Sequence, residues 1–122
     1  RKIAEDPERF LKALEAAKKL EEQGTRVEVI DLRTICPWDK ETVLSSVKKT
    51  GKVLIVHEDT RTGGFGAEIG SVIAEECFQW LDAPIMRVAA KDAPIPFAPA
   101  LENAVLPQES DITSALERLA AF

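Results

Sequence analysis

The sequence contains few of the residues from which metal sites and disulfide scaffolds are built. Its 122 residues include one histidine and two cysteines, Cys36 and Cys77, which stand far apart and form no CxxC pair. A structural zinc site needs about four Cys or His ligands, and a disulfide scaffold needs several cysteine pairs. The sequence therefore predicts no metal site, and we expect both cysteines to be buried free thiols in a reducing compartment.

Long apolar runs and blocks of like charge are also absent. The longest apolar runs, such as Val53–Val56, are far shorter than the ~20 residues of a membrane span, and the opening RKIAEDPERF has no apolar stretch of the signal-peptide type. Sixteen Lys and Arg against 21 Asp and Glu give a net charge of −5, whereas nucleic-acid-binding domains are usually basic. We expect a soluble cytoplasmic protein that binds neither membranes nor nucleic acid.

The sequence does have the composition of one globular domain. Hydrophobic residues make up 45% of it and charged residues 30%, which is enough apolar surface for a core and enough charge for solubility. Because a chain of this length is too short to divide its core, we expect a single domain over residues 1–122.

Four segments carry apolar residues at three- and four-residue spacing, which is typical of amphipathic helices. Asp6 and Asp39 are predicted N-caps of the first two helices, Gly24 and Gly51 are their predicted ends, and the third helix is predicted to begin near Gly66. The four apolar stripes are Phe10, Leu14, Ala17 and Leu20; Val43, Leu44 and Val47; Ile69, Val72, Ile73, Cys77 and Trp80 or Leu81; and, from Ser110 onward, Ile112, Ala115, Leu116 and Leu119.

Three further segments predict strands, namely residues 27–32, 52–56 and 85–90. The second reads KVLIV without alternation, which indicates a strand covered on both faces in a parallel sheet. Strands that alternate with helices predict a three-layer α/β/α fold with a mainly parallel sheet. Residues 92–107 hold four of the seven prolines and are predicted to form an ordered arm.

The segment HEDTRTGGFGAEIG, residues 57–70, carries most of the functional information because it follows the second predicted strand. Ligands of open parallel sheets bind at such strand ends. Its glycines permit a tight turn with exposed amides at a helix N-terminus, so a small anion or a partner's carboxylate could dock there; a purely structural turn and a subunit contact are the other interpretations. The spacing is not that of a dinucleotide fingerprint or a Walker loop, since Ile69 stands where a third glycine is needed and no GK precedes Ser or Thr.

His57 is the only histidine, and beside Glu58 and Asp59 it could serve as a general base. A hydrogen-bonded histidine at a strand end is the favoured interpretation, because no nucleophile motif accompanies it. Acidic residues near strand ends also suggest a phosphoacceptor receiver domain, although no strand precedes the first predicted helix as that fold requires.

Three blocks of sequence carry a family resemblance: DLRT with Pro37 and Trp38, then HE with TGGFGAEI, then AP with RV and the proline arm. From near Leu11 to near Leu119, the chain is similar to the C-terminal domain of the beta subunit of thiamine-diphosphate-dependent 2-oxo acid dehydrogenases of the pyruvate and branched-chain types. The resemblance implies a transketolase C-terminal-like fold and a parent enzyme that oxidatively decarboxylates a 2-oxo acid.

The resemblance also implies how the work is divided within the parent. Thiamine diphosphate and magnesium are held there through a GDG motif that this sequence lacks, so no catalytic, cofactor-binding or metal-binding residue is assigned here, and the chain alone is predicted to be inactive. The family's C-terminal domain associates with other subunits of the dehydrogenase and docks the acyltransferase component. The parent would be cytoplasmic, or in the mitochondrial matrix if eukaryotic.

The candidate residues for such contacts, or for an anion-binding turn, belong to the turn and to the arm. They are His57, Glu58, Arg61, Gly63, Gly64, Phe65, Gly66, Pro94, Pro96 and Phe97. The alternative function is a stand-alone flavodoxin-like module that binds a small anion or a nucleotide at Gly63–Gly66. Members of the family usually have a hydrophobic strand before the first helix, and its apparent loss here predicts an unpaired sheet edge.

Overall fold

The computed structural model describes residues 7–32, 36–92 and 104–122. In chain order its elements are α1 (Pro7–Glu22), α2 (Lys40–Thr50), β1 (Leu54–Thr60), α3 (Phe65–Cys77), a 3-10 turn (Phe78–Trp80), β2 (Met86–Ala90) and α4 (Glu109–Ala120). All four predicted helices are confirmed, but α3 ends at Cys77, before the predicted stripe positions Trp80 and Leu81, where a 3-10 turn follows. The predicted Asp6 cap and the candidate arm residues Pro94, Pro96 and Phe97 lie outside the described residues.

Helix α2 shows how local sequence sets the ends of an element. The Asp39 carboxylate accepts hydrogen bonds from the backbone N–H of Thr42 at 3.1 Å and from its hydroxyl at 2.7 Å. Gly51 ends the helix at φ +76°, where its N–H donates to the carbonyl of Val47. A left-handed residue at this position favours glycine, so both predicted caps are confirmed.

Strands β1 and β2 pair in parallel, with Leu54 opposite Met86 and Val56 opposite Val88. The pairing confirms the predicted parallel sheet, but the predicted end of the second strand at Val56 is wrong, since β1 continues to Thr60. Thr60 lies opposite Ala90 after an irregularity in the register. The polar residues 57–60 thus belong to the strand although their strand propensity is low, because β1 runs beside β2.

The predicted strand at residues 27–32 is wrong as secondary structure, because the backbone there is neither strand nor helix. Its apolar side chains behave as predicted, since Ile30 and Leu32 pack against the core. A strand is defined by a neighbour at hydrogen-bonding distance, about 4.8 Å away. Among the described residues the sheet consists of β1 and β2 alone.

The core lies on both faces of this small sheet. On one face a cluster of buried residues joins α2, β1 and α3; its members are Val43, Val47, Ile55, Ile69, Ile73 and Cys77. Successive residues of a strand point to opposite faces, so Leu54 and Val56 point away from Ile55. That other face is covered by α4, which contacts both strands and packs against α1. The three-layer α/β/α architecture is therefore confirmed.

The two cysteines differ in exposure. Cys77 is buried, and its thiol donates to the carbonyl of Leu44 at 3.8 Å, whereas Cys36 is exposed. The prediction of two buried thiols is wrong for Cys36, because this residue lies in the turn before α2 and outside the apolar stripe. In the described part of the chain, none of the helices has the length and apolar character needed to cross a bilayer.

We expect Ile73→Ala to lower the free energy of unfolding by about 2–5 kcal/mol, because Ile73 is 0% exposed and its loss leaves a cavity among α2, β1 and α3. Urea unfolding followed by tryptophan fluorescence measures the change. The matched control is Leu11→Ala on α1, where the side chain is 55% exposed and the expected change is below about 0.5 kcal/mol. Equal losses in the two variants would contradict this account of the core.

Candidate functional site

The turn predicted from sequence lies at the carboxyl end of β1 and leads directly into α3. Strand β1 ends at Thr60 and α3 begins at Phe65, so residues 61–64 make the connection. Arg61, Thr62 and Gly63 are exposed, and Gly63 has a φ of +74°. A left-handed backbone angle disfavours residues with a Cβ atom, so the turn itself requires this glycine.

Gly64 and Gly66 are buried and serve a different purpose, which is close packing. A Cβ atom on Gly64 would overlap the carbonyl oxygen of Thr60 and lie 2.9 Å from Cε1 of His57. A Cβ atom on Gly66 would overlap Nε2 and Cδ2 of His57 and lie 3.2 Å from Cγ2 of Ile55. These contacts account for both glycines as structural residues that let α3 approach β1.

His57 therefore lies beneath the first turn of α3, with its imidazole against the backbone of Gly64 and Gly66. Both ring nitrogens are shielded from solvent and have no hydrogen-bond partner among the described residues. The hydrogen bond predicted for His57 is therefore absent among the described residues. A general base must bring a ring nitrogen within hydrogen-bond reach of its substrate, and the shielded nitrogens do not meet this condition.

Burial is the largest influence on the protonation of His57. Desolvation lowers the pKa of His57 below the ordinary value of 6.5, since it penalises the charged form. The negative charge of Asp59 opposes this shift, and the positive charge of Arg87 adds to it. The imidazole is accordingly neutral near pH 7.

The exposed part of the turn is fastened to the end of β2. The backbone N–H of Thr62 donates to Oδ1 of Asp92 at 3.0 Å, and its hydroxyl makes a short hydrogen bond to Oδ2. The hydroxyl of Thr60 donates to the carbonyl of Thr62 at 3.0 Å. Hydrogen bonds from the Thr62 side chain and backbone lower the pKa of Asp92, because they favour the carboxylate.

Two arginines complete the connection between the strands. Nη1 of Arg61 donates to the carbonyl of Arg87 at 2.9 Å, and Nη1 of Arg87 donates to the carbonyl of Arg61 at 2.7 Å. The backbone N–H of Arg61 donates to the carbonyl of Ala90 at 3.1 Å. Each guanidinium thus bridges two chain segments.

The structure therefore divides the candidate residues by exposure. Arg61 and Gly63 are exposed; His57, Glu58 and Phe65 are half-buried; and Gly64 and Gly66 are buried. The ring of Phe65 packs edge-on against that of Trp38, with centroids 6.4 Å apart.

Sequence reasoning missed Asp92 and Arg87, which hold the turn, because no local pattern links them to it. Anion binding at Gly63–Gly66 stays a prediction.

We expect Gly66→Ala to lower the free energy of unfolding by about 1–3 kcal/mol, because the added methyl group overlaps the imidazole of His57. The matched control is Gly70→Ala on the same helix, where the nearest atoms would be 3.7 Å away. That variant is expected to be neutral or stabilised by up to about 1 kcal/mol, because alanine favours helix over glycine. Thermal or urea unfolding of both variants measures the difference.

The same contact is tested by adding His57→Ala to Gly66→Ala. Removal of the ring creates room for the new methyl group, so the double variant should lose less stability than the sum of the two single variants. If the losses of stability in the two single variants simply add up in the double variant, the imidazole does not restrict the size of the side chain at residue 66.

We expect the Thr62–Asp92 contact to stabilise the fold fully at pH values above 3.8, the ordinary pKa of the carboxyl group. This stabilisation should be lost as the pH falls through the folded-state pKa of Asp92, which is lower. Asp92→Asn should therefore be more destabilising at pH 7 than at pH 3. Thr62→Val, which removes the hydroxyl donor, should weaken the same pH dependence, whereas Thr62→Ser should retain it. Urea midpoints measured from pH 2.5 to 7 provide the comparison, and parallel curves for all four proteins would refute it.

Comparison with known proteins shows which family this α/β domain is similar to. The profile of the transketolase C-terminal domain matches residues 10–112. The chain is 46% identical over 110 residues to the pyruvate dehydrogenase E1 component subunit beta of Rickettsia felis, covering 90% of this chain and 34% of that protein. It is 43% identical over 111 residues to the 2-oxoisovalerate dehydrogenase subunit beta of Bacillus subtilis, again covering 90% of this chain and 34% of that protein.

A eukaryotic relative extends the range of these matches. The mitochondrial pyruvate dehydrogenase E1 component subunit beta of Dictyostelium discoideum is 45% identical over 106 residues, covering 87% of this chain and 30% of that protein. The chain thus spans about a third of the length of the curated relatives that it matches. These relatives confirm the resemblance to dehydrogenase beta subunits, and the profile match together with the parallel α/β sheet shows that the chain belongs to the transketolase C-terminal domain family.

Proposed function

We propose that the chain is the C-terminal assembly domain of the decarboxylating component of a 2-oxo acid dehydrogenase complex. It associates with other subunits of that component and docks the acyltransferase component, while the parent enzyme oxidatively decarboxylates a 2-oxo acid. The observation that carries the proposal is the 46% identity to a dehydrogenase beta subunit over 90% of this chain but only 34% of that subunit. A match of this extent is expected for one domain of a longer protein.

The parent is proposed to require thiamine diphosphate and magnesium. No residue of this chain is assigned to them, because the GDG motif through which the family holds the pair does not occur in this sequence. We therefore assign cofactor binding and the chemical step to other parts of the parent, and a contact function to this chain.

The turn after β1 supports a contact function because it is exposed and already held in place. Arg61 and Thr62 lie at the surface, and their hydrogen bonds to Arg87 and Asp92 fix the backbone between them. A surface that is ordered before binding loses little conformational entropy when a partner docks. Arg61 and Gly63 carry the proposed contact, while the half-buried and buried candidate residues position them.

Large exposed apolar side chains offer further contact area. Leu11 is 55% exposed, Phe78 76% and Phe122 64%. Single exposed apolar residues are common on proteins, but aromatic side chains are enriched where protein surfaces meet. These residues lie on α1, on the 3-10 turn after α3 and at the end of the described chain, so they are available to more than one partner.

The contact function is tested by titrating the purified chain with the acyltransferase component of a pyruvate dehydrogenase complex and, separately, of a branched-chain complex. We expect binding to one of them with a dissociation constant of about 1 μM or below. Arg61→Glu should weaken that binding by about tenfold, and Arg26→Glu, a charge reversal at an exposed residue outside the turn, should leave it unchanged. If neither component binds and the chain stays monomeric by sedimentation, the contact function is wrong.

The assignment of the cofactor to other parts of the parent has a separate test. Calorimetric titration of the chain with thiamine diphosphate and magnesium should show no heat of binding, and micromolar binding would overturn that assignment. Inorganic phosphate added in a parallel NMR titration tests the alternative anion site. Shifts at the amides of residues 63–66 at millimolar phosphate would favour the stand-alone module.

A further inference from the structure

The position of His57 beneath α3 has a consequence for the response of the turn to acid. The imidazole occupies the space that side chains at Gly64 and Gly66 would need, so it supports the first turn of α3 from below. Within the described part of the chain, neither ring nitrogen has a hydrogen-bond partner, and neither is open to solvent. A neutral ring leaves one N–H donor and one acceptor nitrogen without a partner here, and it carries no charge.

A protonated ring would be poorly accommodated in the same place. An imidazolium has two N–H donors without an acceptor in place of one, and it carries a charge that burial penalises. The ring also lies under the N-terminus of α3, where the helix dipole is positive and disfavours a cation.

The charged groups around the ring do not reverse this preference. From β1, Asp59 favours the charged form and Glu58 adjoins His57 in the chain; from β2, Arg87 disfavours the charged form. In the first turn of α3 the acidic residue is Glu68, and its side chain is exposed. Desolvation outweighs the attraction of Asp59.

We propose that His57 is an acid-sensitive latch of the turn at residues 60–66: the neutral imidazole holds the first turn of α3 against β1, and the imidazolium leaves this position and releases the turn. The latch goes beyond the proposed assembly function, because it concerns how protons control the conformation of the surface and not which partner binds there. It rests on the packing of His57 against Gly64 and Gly66 and would hold for the isolated chain.

The direction of the pH effect follows from proton linkage. The closed turn holds the pKa of His57 below 6.5, so between that folded-state pKa and 6.5 the open turn binds more protons than the closed one. The stability of the closed form relative to the open one is therefore greatest above pH 6.5 and decreases progressively as the pH falls through that window. For one proton, the equilibrium constant for opening rises by at most about tenfold per pH unit.

The sequence makes the latch directly measurable, because its single histidine gives one imidazole resonance. We would titrate the full chain from pH 8 to pH 5 by NMR and follow the Cε1–H of His57 together with backbone amide exchange, corrected for the intrinsic pH dependence of exchange. The amide of Ala67, which donates to the carbonyl of Gly64 at 3.0 Å, reports on the first turn of α3. The amides of α2 report on global unfolding.

The proposal expects an imidazole midpoint below 6.5, with protection of Ala67 lost along the same titration while α2 stays protected. Asp92 does not confuse this readout, because its lowered pKa places its titration below pH 3.8. In His57→Leu, which keeps an apolar side chain of similar size and cannot titrate, the protection of Ala67 should not change between pH 8 and pH 5.

Three results would overturn the proposal. The first is an imidazole midpoint at or above 6.5, which would mean that the charged ring finds an acceptor or solvent. The second is a low midpoint without any loss of protection at Ala67, and the third is the same loss of protection in His57→Leu. If the variant does not fold, the two measurements on the unaltered chain decide the question.

Discussion

The parallel pairing of β1 with β2 is the interaction on which the other features depend. It aligns Val56 with Val88 and brings the carboxyl ends of both strands to the same edge of the sheet. Residues that are distant in sequence, such as Thr62 and Asp92, become hydrogen-bonded neighbours there. The guanidinium groups of Arg61 and Arg87 then bridge the same two segments. Without this pairing, the turn after β1 would be an ordinary glycine-rich loop.

Helix α3 begins at the same edge of the sheet and packs against β1. Its approach depends on the absence of side chains at Gly64 and Gly66, and the space left by them is filled by His57 from β1. A strand end and a helix N-terminus in contact are the usual location of sites in open parallel sheets. Here that location is filled by protein atoms, so the exposed residues of the turn present a surface and the shielded ones support it. This arrangement supports the proposed contact function of the turn.

The features that sequence predicted well are those fixed by local physics. Asp39 caps α2 and Gly51 ends it because the residues concerned lie within one helical turn of each other. The buried stripe of α3 follows from its periodicity, and the parallel sheet follows from the alternation of strands and helices. The glycine turn was found because a polar, glycine-rich segment after an apolar strand is a local pattern.

The features that sequence missed depend on neighbours in space. Strand β1 continues through polar residues to Thr60 because β2 is there to pair with it, and residues 27–32 do not form a strand although their apolar side chains reach the core. The contact of Thr62 with Asp92 involves two residues with no common motif. The family resemblance supplied the fold of the domain, but it did not indicate which residues of the turn are exposed and which support them.

The close packing of His57 against Gly66 also constrains the order in which these two positions can change during evolution. An alanine at residue 66 is less destabilising beside a small side chain at residue 57 than beside an imidazole, so replacement of the histidine before the glycine is the less costly order. A lineage that keeps the ring is therefore expected to favour the glycine. The two positions are therefore expected to vary together among descendants of this sequence, whereas a methyl group on Gly70 would make only ordinary van der Waals contacts at 3.7 Å, so that position is expected to vary alone.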